Sequence, residues 1–251
     1  MENQDLYQYL LLLGDNPLII GHRLSELCGH GPSLETDIAL TNMSLDLFGQ
    51  VRNYFQYAAE IKGGDATEDS IAMLRQPNEY RHVNLMEQPN TDFAWVIARQ
   101  FFFDAYHMPL LQQLMESKDE RIAAIAAKSI KEVAYHLDVS RAWLIRLGDG
   151  TEESHQRMQA AVDYLLPYAM ELVEPTDVEL RMQEAGIGAD LNEVKAAFNQ
   201  AIDEALIEAT LAKPDLTFTQ KGGKMGRHTE HLGYILAELQ YMQRAYPNME
   251  W

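Results

Sequence analysis

Apolar residues recur at steps of three and four over most of the chain, the period that gathers them on one face of an α-helix. The clearest run is Ile122, Ile125, Ala126, Ile130, Val133, Leu137, Leu144 and Leu147, which predicts a long helix closing at Gly148-Asp149-Gly150. Residues 5–28 carry Leu6, Leu10, Leu13, Leu18, Ile20, Leu24 and Leu27, interrupted by Gly14-Asp15-Asn16-Pro17. Pro17 either kinks one helix there or starts a second. Ser33 is placed to cap a helix that reaches about Lys62 and stops at Gly63-Gly64. Residues 65–89 have mixed polarity, with a short helix near 70–75. Asn90-Thr91-Asp92 then opens a helix over 90–117 that is apolar all round, with Phe93, Trp95, Phe101, Phe102, Phe103 and Tyr106, as a buried helix is. Pro109 should bend it. The break at 117–119 is short enough to make this helix and the next antiparallel neighbours.

Residues 151–174 read as a further helix with Pro167 as its kink, ending at Pro175. Asp190-Leu191-Asn192-Glu193 has the form of a capping box opening a helix through Leu211. A loop over 214–227 precedes a final helix over about 228–246. No stretch alternates at period two over the length of a strand. The expected fold is therefore all-α: a long-helix bundle of about seven helices, several joined in hairpins, with additional helices packed on it, in one domain spanning 1–251.

Composition narrows the function. The chain has 47% hydrophobic residues, enough for a substantial core, and a formal charge of −18, which excludes nucleic acid as a partner because phosphate binding needs basic surface. Its one cysteine, Cys28, rules out an intrachain disulfide and multi-cysteine metal motifs. No apolar run approaches the ~20 residues that span a bilayer, and Met-Glu-Asn-Gln-Asp lacks the basic start of a signal peptide. A cytoplasmic protein that does not enter a membrane is expected.

The candidate chemistry lies on the long helices. His136 sits beside the apolar stripe of its helix, where a glutamate three residues earlier would make half of a ferritin-like di-iron site. Val133 stands there instead. Asp104 and His107 share a face of the most apolar helix, and a buried Asp104 requires a cation, a hydrogen-bond donor or a proton. Asp46 has Gly49 three residues on, and Glu132 and His136 also share a face. Glu79 and His82 have ligand spacing, but flanking Pro77 and Pro89 put them outside the long helices.

The run Lys221-Gly222-Gly223-Lys224-Met225-Gly226-Arg227-His228 concentrates positive charge before a helix. Solvated lysines in a turn are one reading. The other makes Lys221, Lys224, Arg227 and His228 contacts for a phosphate-bearing ligand or an acidic partner, although the run is not a Walker loop. A serine hydrolase is unsupported, since the chain has no Gly-x-Ser-x-Gly elbow and no α/β pattern.

An ordered set of blocks carries a resemblance over almost the whole chain. The blocks are Leu13-Gly14-Asp15-Asn16, Leu45-Asp46-Leu47-Phe48-Gly49-Gln50, Glu87-Gln88-Pro89-Asn90, Ile97-Ala98-Arg99-Gln100, Tyr135-His136-Leu137, Arg146-Leu147-Gly148-Asp149-Gly150, Gly222-Gly223-Lys224 and His228-Thr229-Glu230-His231-Leu232-Gly233. Together they resemble the PaaC family, the C subunits of bacterial ring-1,2-phenylacetyl-CoA epoxidases. The resemblance implies a ferritin-like fold and a structural, non-catalytic role. Its partner would be the catalytic A subunit of a multicomponent monooxygenase that epoxidises the ring of phenylacetyl-CoA in aerobic phenylacetate catabolism. The di-iron centre would belong to that partner, and this chain would hold no cofactor.

By the catalytic relatives' pattern, Asp46, Asp104 and His136 are vestigial ligand positions. The others are lost at Ile20, Gly49 and Val133. With half the set unable to coordinate, no catalytic metal is expected. Asp46, Asp104 and His136 would be bonded to one another or to an arginine such as Arg52. Two rivals remain: an autonomous ferritin-like metalloenzyme using Asp46, Asp104, His107, Glu132 and His136, and a CoA-binding accessory module using the Lys221–His228 loop. Homodimer contacts are a further option.

Overall fold

The computed structural model describes residues 2–247 and 249. Among these residues ten α-helices occur and no strand. They are α1 (Glu2–Ser25), α2 (Leu34–Lys62), α3 (Glu68–Met73), α4 (Phe93–Leu114), α5 (Glu120–Gly148), α6 (Glu152–Ala169), α7 (Asp177–Glu184), α8 (Leu191–Glu208), α9 (Glu230–Leu239) and α10 (Tyr241–Ala245). Helices α1, α2, α4 and α5 form the bundle.

Side-chain pairs fix its topology. Tyr7 meets Lys62, Gly14 packs on Phe55, His22 on Phe48, and Ser25 bonds Ser44. One residue number rises as the other falls, so α1 and α2 run antiparallel. Helix α2 runs against α5 in the same way, through Asp46 and His136, Gln50 and Glu132, and Glu60 and Arg121. Two hairpins, α1–α2 and α4–α5, are thus joined by one long crossover, the connectivity of ferritin-like bundles.

Local chemistry starts the helices where the sequence predicts. Ser33, Asp92 and Asp119 each accept a backbone N–H of the first turn, removing donors that would otherwise be orphaned. Pro17 lies inside a single α1, which settles that alternative in favour of one helix. Four boundaries differ from expectation. α6 stops at Ala169 and tightens into a 3₁₀ turn over Met170–Val173, and the Pro167 carbonyl accepts from Gln220 N at 3.0 Å. α7 fills what looked like a connecting segment, held by a capping box between Thr176 and Glu179. α8 starts with Asp190 accepting from Asn192 N and ends at Glu208, with Thr210 in the left-handed region at φ 57°. The last helix is broken at Gln240, whose side-chain amide reaches back to the Arg75 carbonyl at 2.8 Å and the Tyr80 hydroxyl at 3.0 Å.

One continuous hydrophobic cluster runs from Leu6 to Leu236. An irregular segment is buried inside it: residues 82–88 have no regular structure, yet all are buried. A buried loop needs a partner for every backbone group. The Val83 N–H donates to Asn16 Oδ1 (2.9 Å), and the Arg81 N–H donates to Asp15 Oδ2 (2.7 Å). Arg23 donates to the Glu87 carbonyl at 2.6 Å, and Arg99 to that of Gln88.

Candidate functional site

Two regions gather chemistry-bearing side chains. The first is the bundle centre. Helices α2 and α5 bring Asp46 and His136 together, with Oδ2 to Nε2 at 3.0 Å. His136 is fully buried while Asp46 is partly exposed. Burial lowers the His136 pKa, and the bond to Asp46 works the other way. His136 Nδ1 has no partner.

Asp104 does not join this pair. Its carboxyl accepts from Gln100 Nε2 and Ser140 Oγ, each at 2.7 Å. Burial pushes its pKa up to about 8, against the pull of those two bonds, so at neutral pH it is largely uncharged. Two donors answer the buried acid, and burial favours its protonated form. His107 lies against Phe103 with Nδ1 unpartnered, and burial, assisted by the charge of His136, lowers it to about 3.

The remaining positions do not add to the pair of Asp46 and His136. Ile20 and Val133 are fully buried apolar residues. Gly49 is exposed, and a Cβ there would meet no atom within 4 Å. Glu132 accepts from Gln50 at 3.2 Å. Arg52 does not reach the centre: it extends into solvent, its Nε 3.7 Å from Glu68.

The second region is a polar clasp around residues 82–88, where α1, the crossover and the C-terminal third meet. Asp15 and Arg75 form a buried bidentate pair, and the guanidinium lies over the Tyr80 ring at 4.1 Å. Glu87 receives Thr229 Oγ1 on Oε2 at 3.1 Å, and His228 Nδ1 lies 3.3 Å from its Oε1. His82 stacks on His228 with ring centroids 4.2 Å apart. Burial opposes a charge on Glu87, yet the two histidines hold its carboxyl down at about 2. Among the described residues, His82, Glu87 and His228 are the group of three whose ligand atoms all lie within 4.8 Å of one another. Glu79 is not part of it, because its carboxylate turns back to accept the Gln76 N–H.

The Lys221–His228 loop closes the clasp instead of presenting a free cradle. Its Gly222 and Lys224 amides donate to Glu171 Oε1 at 2.7 and 3.3 Å, so an internal carboxylate sits where an external anion would. Lys224 is buried, its Nζ bonded to Glu179 Oε1 (2.9 Å) and to the Leu172 and Glu174 carbonyls. His228 is held by Glu87 and the Tyr80 carbonyl. Of the loop's cationic side chains, Lys221 and Arg227 stay exposed. Gly223 is required by the close approach of two chain segments: a Cβ would stand 2.4 Å from the His82 carbonyl oxygen.

The clasp escaped the sequence reading because its members lie far apart, Glu87 and His228 by 141 residues. The one available signal was that Glu87-Gln88-Pro89-Asn90 and His228-Thr229 are both blocks of the resemblance.

Among the described residues no helix is long and apolar enough to cross a membrane. Compared with known proteins, the chain is 47% identical over 246 residues to the C subunit of the 1,2-phenylacetyl-CoA epoxidase of Escherichia coli (strain K12), covering 98% of this chain and 99% of that protein. The family described as phenylacetic acid catabolic protein matches residues 1–251. By fold, by centre and by this end-to-end match, the chain belongs to the phenylacetic acid catabolic protein family.

Proposed function

We propose that this chain is a subunit of a phenylacetyl-CoA epoxidase, non-catalytic itself, that pairs with and stabilises a di-iron catalytic subunit. The observation that carries the reading is the state of the bundle centre. A ferritin-like di-iron site needs carboxylates and imidazoles from four helices, open toward one point. Here two of those places are the apolar Ile20 and Val133, and Asp104 is tied to Gln100 and Ser140. Asp46 and His136 bond each other. The centre's two carboxyls are both engaged by neighbouring side chains of this chain, which suits a scaffold more than a redox site.

An exposed apolar row supports the pairing. Leu34, Ile38 and Leu45 follow one face of α2 with 71%, 51% and 63% exposure. An exposed apolar row on a long helix suits a subunit interface. The CoA-binding alternative loses support, because Lys224, its central cation, is buried in an ion pair with Glu179.

The test is to express the chain alone with added iron and measure iron content, then co-express it with a di-iron catalytic subunit. No stoichiometric iron and stable co-purification are expected, with Leu45→Glu weakening the complex at least about tenfold while changing the chain's own stability by about 0.5 kcal/mol or less. About two irons per chain, the load of a complete centre, would overturn the reading.

A further inference from the structure

The clasp contains a protonation conflict. His228 Nε2 lies 3.1 Å from the Tyr80 carbonyl oxygen. A carbonyl only accepts, so Nε2 carries the ring proton. Nδ1 of the neutral ring then directs a lone pair at Glu87 Oε1, 3.3 Å away. Two acceptors facing each other in a buried site need either a proton or a metal ion between them.

His82 stands beside them with the same need. It is fully buried, and neither of its ring nitrogens has a hydrogen-bond partner. Its Nε2 is 3.8 Å from Glu87 Oε1. A second proton on His228 would resolve the first conflict and leave His82 orphaned. A metal ion resolves both. We propose that His82, Glu87 and His228 form a divalent-cation site of the zinc class, which fastens the buried segment 82–88 to the start of α9.

The donor set suits that class: two imidazoles and a carboxylate are borderline ligands that Zn²⁺ accepts, with a fourth position left for water. The surroundings orient the ligands as metal sites do. The Tyr80 carbonyl fixes the His228 tautomer and Thr229 holds the outer oxygen of Glu87. Asn84 is placed to donate its amide to Glu87 Oε1 at 2.6 Å, a further hold on that carboxylate.

Geometry sets one requirement. Tetrahedral bonds of about 2.0–2.1 Å put ligand atoms roughly 3.3–3.5 Å apart, close to the 3.3 and 3.8 Å already found around Glu87. The two rings, however, stack within 18° of parallel, and an ion cannot lie in both planes. One ring must turn. His82 has no hydrogen bond to break, and the torsion that swings an imidazole is broad.

The test uses the full chain, stripped with chelator and titrated with Zn²⁺ by calorimetry, with elemental analysis after dialysis. One zinc per chain is expected, and His82→Ala and Glu87→Gln should each weaken binding at least about 100-fold, whereas His231→Ala should leave it unchanged. X-ray absorption of the zinc-loaded wild type should show imidazole and carboxylate ligands, a readout that does not depend on any variant folding. Absence of stoichiometric zinc, binding indifferent to His82, or a coordination shell of water oxygen alone would each overturn the proposal. The outcome is separate from that of the iron test, because it concerns a different metal at residues outside the bundle centre.

Discussion

At the bundle centre Asp104 is pushed up to about 8 and held by two uncharged side chains, while in the clasp Glu87 is held down at about 2 beside two histidines. Both carboxyls are fully buried. The difference lies in the company. Helices satisfy their own backbone, so the centre needs only to quiet a few side chains, and a proton on Asp104 does so. The clasp surrounds irregular backbone whose internal bonds, Met86 N to the Val83 carbonyl and Gln88 N to that of Leu85, leave other groups unmatched, and ionic groups are recruited to those: Asp15 to the Arg81 N–H, Arg23 and Arg99 to two carbonyls. Polar burial here tracks where regular structure is missing.

The largest effect should come from breaking the clasp. Asp15→Ala leaves Arg75 buried without its carboxylate and frees the Arg81 N–H, and removing one partner of a buried pair costs about 3–5 kcal/mol. Urea denaturation measures it. A loss below about 1 kcal/mol would mean that Asp15 does not organise the segment.

The pH dependence should separate the regions by sign. Asp104 has its folded pKa raised, so the native state binds the proton more tightly. Its contribution is complete below the unfolded value near 3.8 and is lost as pH rises toward about 8, by up to about 1.4 kcal/mol per pH unit. Glu87 has its folded pKa lowered. Its contribution is present above the unfolded value near 4.5 and is lost as pH falls toward about 2. Denaturation at several pH values should therefore show Asp104→Asn gaining on wild type as pH rises from 4 to 8. The new amide can also donate to Gln100 Oε1, which has no partner. Glu87→Gln should instead approach wild type only as the pH falls. Parallel profiles for the two variants would abolish the contrast.

The smallest effect is expected at the edge. Lys221 is exposed, its Nζ 3.5 Å from Glu174, and Lys221→Ala should change stability by about 0.5 kcal/mol or less. Lys224→Ala, three residues along, removes a buried charge with three partners and should approach the Asp15 value in the same assay.

Periodicity made the long helices legible, because a stripe of leucines and isoleucines is a local signal. Ser33 and Asp92 marked the starts of α2 and α4 for the same reason. Helix α7 has only eight residues and little apolar content, so it left no stripe to read. The break at Gln240 depends on a bond to Arg75, 165 residues away. At the centre, the pairing of Asp46 with His136 followed from the resemblance, but Asp104 found Ser140 and Gln100, and Arg52 found solvent. Choices among nearby hydrogen-bonding partners depend on helix rotation, which spacing does not specify. The clasp is the extreme case: His82 and His228, from widely separated parts of the chain, meet through tertiary folding alone.

That last meeting also sets an order of events in the cell. Glu87 emerges from the ribosome 141 residues before His228, about 7–30 s earlier at ordinary rates of synthesis. During that interval both hairpins of the bundle can form, but the carboxylate of Glu87 and the stacked face of His82 wait without their last partners. The chain should therefore pass through a stage in which its helices are assembled and its irregular segment is still open, accessible to a protease or a chaperone until α9 arrives. The clasp thus closes late in synthesis, and a translation product interrupted before α9 would leave the 82–88 seam exposed.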